Sequence, residues 1–296
     1  MTWQEKLKYH YQKADVVQKL IAVLVIVFVI QKLVEVSGTL FGFDRRWFID
    51  WFAVWSPMNH LLFHPWSIIT YGFLHGGFIH LLFNVLVLYF SANLFLSFFN
   101  EIKLLSYFTL GVIVGGLFFV VFYQISSSFA AIPLVGASAG IMAILIGAIT
   151  QSPNMEVYLR LIGRVKLWWI AAVFVLLDLI QTPISNIGGH LAHLGGAFAG
   201  FLYTHQLKKG VNIGAWLENI ISRLFFENWK QTKHPFKKVY KNKTPKSNNK
   251  SKQSFGSYKT ENQFKVDAIL EKIKNNGYES LTKEEKDFLY QAGKNL

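Results

Sequence analysis

What most constrains this chain is a succession of six apolar segments between residues 20 and 207. A membrane-spanning helix needs roughly 17–25 mainly apolar residues. The segments fall at residues 20–36, 78–99, 104–125, 131–149, 167–180 and 187–207, the fifth being the shortest. Charged residues make up 16% of the chain, against about 25% in an ordinary soluble protein. Most of them sit in the tails, so the middle is almost uncharged. A soluble core cannot use so much apolar surface, whereas a bilayer can. After the first segment comes Gln31-Lys32-Leu33-Val34-Glu35 instead of a small-residue cleavage site, so the expectation is a span and not a signal peptide.

The basic residues suggest an orientation. Lys6, Lys8, Lys13 and Lys19 precede the first segment, and Lys103 lies between the second and third. Arg160, Arg164 and Lys166 lie between the fourth and fifth, and Lys208 and Lys209 follow the sixth. The alternate connections carry Arg45 and Arg46, offset by Asp44 and Asp50. Cytoplasmic connections are the Lys/Arg-rich ones, so both termini are expected inside. The net charge of +13 therefore reads as an orientation signal and an attraction to anionic lipid, not as a nucleic-acid footprint. Residues 37–77, rich in Trp, Phe, His and Pro, are expected to form an outside-facing loop partly embedded in the leaflet.

Four regions are expected: a cytoplasmic segment (1–19), a six-helix domain (20–207), a basic linker (208–261) and a small helical hairpin (262–296). The linker includes the disorder-like stretch 241–252. In the hairpin Val266, Ile269, Leu270 and Ile273 share a face, Asn276-Gly277 is a stop, and Thr282 and Glu285 fit a capping box. It reads as a docking module whose partner is unknown.

Polar groups inside spans are costly, which makes each a candidate functional residue. Gly136-Ala137-Ser138-Ala139-Gly140 lies at the outer end of the fourth segment. Alone it reads first as a packing motif with a serine bonded to its own backbone, although small residues also let a neighbouring helix approach a nucleophile. Entering the sixth segment are His190, His193, Gly196 and Gly200. A lone histidine there is more often structural, but beside a serine helix it becomes a candidate general base. His80 and Asn84, four apart, share one helix face and either satisfy each other or stabilise an oxyanion. Asp178 could orient a histidine, although a helix-end aspartate at the interface is the simpler account. The chain has no cysteine, which excludes thiolate catalysis, disulfides and Cys-ligated metal. No His-Glu-x-x-His motif is present, so neither a metal nor a cofactor is expected.

Taken together, His-x-x-x-Asn, Gly-x-Ser and Ala-His-x-x-Gly-x-x-x-Gly, in that order on the second, fourth and sixth segments, resemble the rhomboid family of intramembrane serine proteases. The likeness covers roughly residues 65–207. It implies an all-α six-helix bundle and a Ser138–His193 dyad, with His80, Asn84 and the Ser138 amide as oxyanion hole. Gly136, Gly140, Gly196 and Gly200 would pack helices around the site, and His75 would support an aqueous cavity. His193 is favoured over His190 because it alone has glycine at +3 and +7. Departures from the family pattern are Ala139 after the serine, Met142 where an aromatic is frequent, Ser67 after Trp66, and Ser91 and Phe95 near the inner end of the second segment. The resemblance further implies transmembrane-segment substrates cut at the extracytoplasmic side, and a bacterial inner-membrane location. The alternative is a non-catalytic rhomboid-like protein that binds membrane clients.

Overall fold

The computed structural model describes residues 2–125, 132–160, 162–182, 186–226 and 261–294. Two compact units are present, Met1–Lys233 and His234–Leu296.

In the first unit a short helix α1 (Trp3–Lys13) leads into α2 (Val16–Phe41). Asp15 starts α2 with a capping box: its side chain accepts from the Gln18 amide at 2.8 Å, and the Gln18 side chain returns to the Asp15 N–H. Such a cap contributes about 1 kcal/mol. Gly42, at φ 76°, ends the helix in the left-handed conformation that glycine adopts without a Cβ clash. The first loop then contains α3 (Trp47–Phe52), β1 (Val54–Trp55), α4 (Met58–Phe63) and α5 (Ser67–Thr70). Its aromatics pack on one another, Trp51 stacking on Trp66 at 6.1 Å with His64 edge-on to both. Hydrogen bonds from Trp66 Nε1 to the Trp51 carbonyl and from Thr70 Oγ1 to that of Phe52 close the loop.

The remaining long helices are α6 (Phe78–Leu96), α7 (Glu101–Ile125), α8 (Ser138–Gln151), α9 (Leu167–Gln181) and α10 (Ile187–Lys208). Three helices, α2, α6 and α7, are long and apolar enough to cross a membrane, while α8 and α9 are apolar but shorter. With 14 residues α8 is only about 21 Å long at 1.5 Å per residue. It sits at the centre, against α6, α7, α9 and α10. Every residue from Ala139 to Ile149 is buried, as expected for a helix apolar all round.

The fourth segment departs from expectation. The helix starts at Ser138 and not near residue 131. Ahead of it Pro133–Leu134 form β2, paired antiparallel with β1 of the first loop, and Gly136 has φ 135°. Proline lacks the amide a helix needs and Gly136 takes a conformation closed to other residues, so apolarity alone cannot extend α8 backwards. Among the described residues the all-α expectation is otherwise modified only by a hairpin, β3 (Glu156–Leu159) with β4 (Gly163–Lys166), which carries basic residues between α8 and α9.

Glycines bring α8 and α10 together. A Cβ on Gly196 would strike the Ala139 carbonyl oxygen, and one on Gly200 that of Ala143. Gly115 of α7 fits between them, since its Cβ would meet Ala139 Cβ and the Ala192 carbonyl. Without a hydrophobic drive between helices in lipid, such close backbone packing supplies much of the association energy. Towards the other end of α8 a polar knot adds to it: Thr204 Oγ1 donates to the Gly147 carbonyl at 3.0 Å and lies 2.8 Å from the Tyr107 hydroxyl.

The start of the expected linker is also folded. Helix α11 (Ala215–Ile221) buries Leu217 and Ile221 and packs on α7. Between them Glu218 accepts from Lys103 Nζ at 2.6 Å, from the Tyr203 hydroxyl and from Asn212 Nδ2. The i, i+4 apolar pair was present in the sequence but was absorbed into a linker judged basic from the lysines further along it. The stretch 241–252 lies outside the described residues.

The second unit is a helical hairpin of α12 (Glu261–Asn276) and α13 (Lys283–Lys294). Gly277, at φ 77°, ends α12, and the Thr282–Glu285 capping box is present at 2.8 and 3.3 Å. Lys272 ties the helices through Glu285 at 2.9 Å. Ile269 is buried, whereas Leu270, expected on the same face, is 50% exposed; a helix this thinly covered buries only the centre of its apolar stripe.

Candidate active site

Ser138 is the first residue of α8, where a backbone N–H has no partner within the helix. The chain reaches it through Gly136, whose N–H donates to the Tyr71 carbonyl at 3.0 Å. Tyr71 is buried and donates its own hydroxyl to the Val112 carbonyl at 2.7 Å. The turn before the serine is therefore anchored to α7. Gly136 was expected as a helix-packing residue, but it lies outside the helix. Its missing Cβ leaves the space between His80 and Ser138, 3.1 Å from His80 Nε2 and 3.5 Å from Ser138 Oγ. Gly140 faces Phe108 of α7 rather than α10.

His193 comes from the first turns of α10. Its Nε2 is 2.7 Å from Ser138 Oγ and its Nδ1 is 2.8 Å from Asp178 Oδ1. His190, one turn earlier, also places Nδ1 at 2.8 Å from that same oxygen. Asp178 is therefore no interfacial helix end. It is 6% exposed, while its neighbours Leu177 and Leu179 are 47% and 54% exposed. An ionised carboxylate only accepts hydrogen bonds, so both imidazoles carry their proton on Nδ1. The His193 Nε2 lone pair is thereby aimed at the serine hydroxyl.

On α6, His80 presents Nε2 to the space in front of Ser138, and its Nδ1 lies 3.4 Å from the Gly76 amide. A backbone donor at Nδ1 leaves the proton on Nε2, where it can be given to an oxyanion. Asn84 is buried and directs Nδ2 to the His80 carbonyl at 2.8 Å; the amide has a second hydrogen to give. His75 is fully buried, with its ring edge-on to His80 at 5.2 Å. Gln31 of α2, also fully buried, reads the His75 backbone in both directions: Nε2 to the carbonyl at 3.0 Å and Oε1 from the amide at 3.2 Å. Sequence reasoning passed over Gln31, although a lone glutamine within an apolar run is the signal that marks such residues. A pocket in the first loop, lined by Trp55, His60, Phe63 and His64, contains none of these groups.

Asp178, His190 and His193 bring three potential metal-ligand atoms within 4.8 Å of one another. Each 2.8 Å separation is a good hydrogen bond, and His193 is already engaged with Ser138, so the cluster is accounted for as a hydrogen-bonded network.

A part-buried serine, an imidazole nitrogen 2.7 Å from its oxygen and two further polar side chains, all on apolar helices, define a class: an integral membrane protein whose polar site has the residue types a serine hydrolase would use. Residues 62–209, half of the chain, match the Rhomboid domain family. The chain belongs to the rhomboid family, whose members are generally intramembrane serine proteases acting on membrane-protein substrates, with some non-catalytic members. Residues 252–295 match a family of unknown function, DUF6576. No curated protein matches the chain.

Proposed function

We propose that this protein is an intramembrane serine endopeptidase that hydrolyses peptide bonds in or near transmembrane segments with Ser138 and His193. The 2.7 Å contact between His193 Nε2 and Ser138 Oγ carries the reading. In it, His193 takes the Ser138 proton as Oγ bonds to the substrate carbonyl carbon. The Ser138 amide, His80 Nε2 and Asn84 Nδ2 bind the oxyanion. His193 returns the proton to the leaving amine as the C–N bond breaks, which leaves an acyl-serine. Water then attacks that ester with His193 again as base, releasing the new carboxyl terminus.

The bundle is read as six spans, α2, α6, α7, α8, α9 and α10, with both termini cytoplasmic because the basic connections share one side. Ser138 then lies towards the extracytoplasmic face and cleavage occurs there. Substrate helices must unwind to expose a peptide bond, which favours Gly, Pro or small polar residues near the cut. A bacterial inner membrane is the setting the family resemblance suggests.

Purified wild type, Ser138→Ala and His193→Ala are incubated with a protein carrying a single transmembrane segment, with and without a chelator. Cleavage by wild type in both conditions and a loss of at least about 10³-fold in each folded variant is the expected result. Residual cleavage by Ser138→Ala removes the nucleophile assignment, and loss of wild-type activity with chelator points to a metal.

A further inference from the structure

We infer that Asp178, backed by His190, is the positioning residue for His193, so that a Ser138–His193–Asp178 chain operates where a serine–histidine pair alone was expected. This rests on the protease reading above. Helix α9 is the observation behind it. It buries only Leu167 and Asp178 along its length, and a carboxylate on a membrane helix turns to the bundle interior and needs partners there, because lipid cannot solvate it. Its Oδ1 accepts from Nδ1 of both His190 and His193, each at 2.8 Å.

The chemical consequence concerns the tautomer. Neutral imidazole carries one proton, on either nitrogen. With the proton on Nε2, His193 would donate to Ser138 Oγ and could not act as its base. An acceptor fixed at Nδ1 selects the productive form, holds the ring plane and stabilises the imidazolium that forms when the serine proton moves. The proton stays on His193, and Asp178 remains a carboxylate throughout. His190 gives Asp178 its second donor, so the carboxylate cannot swing away when a substrate enters. The polar groups that face His193 are Ser138 from α8, Asp178 from α9, His190 from its own helix and His80 from α6.

The test uses full-length protein in detergent and reads kcat, KM and the rate at which a fluorophosphonate, which reports serine nucleophilicity without a substrate, labels Ser138. Asp178→Asn can offer an amide N–H to His193 and impose the wrong tautomer. It is expected to lower kcat and labelling rate together by about 10²–10⁴-fold, with KM within about threefold, as for the corresponding change in a soluble serine protease. A purely structural role would move KM and thermal stability first. If Ser138→Ala abolishes cleavage and labelling while Asp178→Asn keeps kcat within about threefold of wild type, this inference is overturned and the protease reading stands. If wild type neither cleaves nor labels more than Ser138→Ala, the protease reading itself fails. Should Asp178→Asn not fold, His190→Gln decides: a fall of about tenfold in kcat at constant KM supports the arrangement, and an unchanged kcat overturns it.

Discussion

Helices α8 and α9 are nearly the same length, 14 and 15 residues, and are apolar to the same eye. Yet α8 is buried from Ala139 to Ile149, whereas α9 buries Leu167 and Asp178 alone. Hydropathy does not distinguish them, because lipid and a protein interior are equally hospitable to leucine. What differs is the kind of contact. The place of α8 is set by backbone meeting backbone: Gly196 and Gly200 of α10 lie on its carbonyls, and Gly111 and Gly115 of α7 admit Ala143 and Ala139. The inner face of α9 rests Ile170, Ala171, Phe174 and Val175, half-buried, against the core and ends on one carboxylate, fixed by two imidazoles of α10. One interface is specified by shape and the other also by a hydrogen-bonded charge, and the candidate site lies where the two meet.

The severest way to break this contrast is Gly196→Val. The added side chain would occupy the position of the Ala139 carbonyl, so α8 and α10 must separate. We expect a loss of more than about 4 kcal/mol, seen as loss of the thermal unfolding transition and of folded yield. A paired substitution sharpens it. Ile144→Ala in α8, at a residue fully buried, should destabilise by about 2–5 kcal/mol through the cavity it leaves. Leu176→Ala in α9, at a residue 57% exposed, should stay within about 0.5 kcal/mol, because detergent or lipid replaces the lost contacts. Equal destabilisation by the two, measured by chemical or thermal unfolding, would refute the contrast in burial between the two helices.

A modest effect lies at α11, outside both helices, where a second charged tie can be titrated. Burial, the largest influence on Glu218, pushes its carboxyl up, but the hydrogen bonds from Lys103 and Tyr203, the Lys103 charge and the Asn212 amide together hold it below the usual value. A carboxyl lowered on folding stabilises fully above its unfolded pKa, and that stability is lost as pH falls through the folded one. Docking of α11 should thus weaken at acid pH below the ordinary glutamate range, by about 1 kcal/mol for a pair still partly open to solvent. Hydrogen exchange of the α11 amides should rise there, and in Glu218→Gln it should be raised already at neutral pH and lose that acid dependence.

Much of the architecture was legible in the sequence because bilayer-spanning helices are long, apolar and bounded by charge. The ranges expected for α6, α7, α9 and α10 differ from the structure by three residues or fewer at either end. The C-terminal capping box was legible too, being a local event within four residues. The start of α8 was misjudged because apolar residues continue upstream, and only the β1–β2 pairing with a distant loop shows that the chain there is extended. Helix α11 was missed because 208–261 was read as one basic linker from the lysines that flank and follow 210–229, and Gln31 because its partner, the His75 backbone, is 44 residues away.

By itself the sequence determined that this is an integral membrane protein of apolar helices, and it supplied a serine, an aspartate, a histidine–asparagine pair and a pair of histidines on four separate segments. The glycines at +3 and +7 already favoured His193 over His190, but how each ring is placed was for the tertiary structure to decide, and His193 Nε2 lies 2.7 Å from Ser138 Oγ. His190 and His193 are three residues apart and therefore share a helix face, so periodicity cannot choose between them. The rotation of α10 about its axis makes the choice. That rotation is set when Gly196 and Gly200 seat on the Ala139 and Ala143 carbonyls, because only one face of α10 lacks the side chains that would keep α8 away.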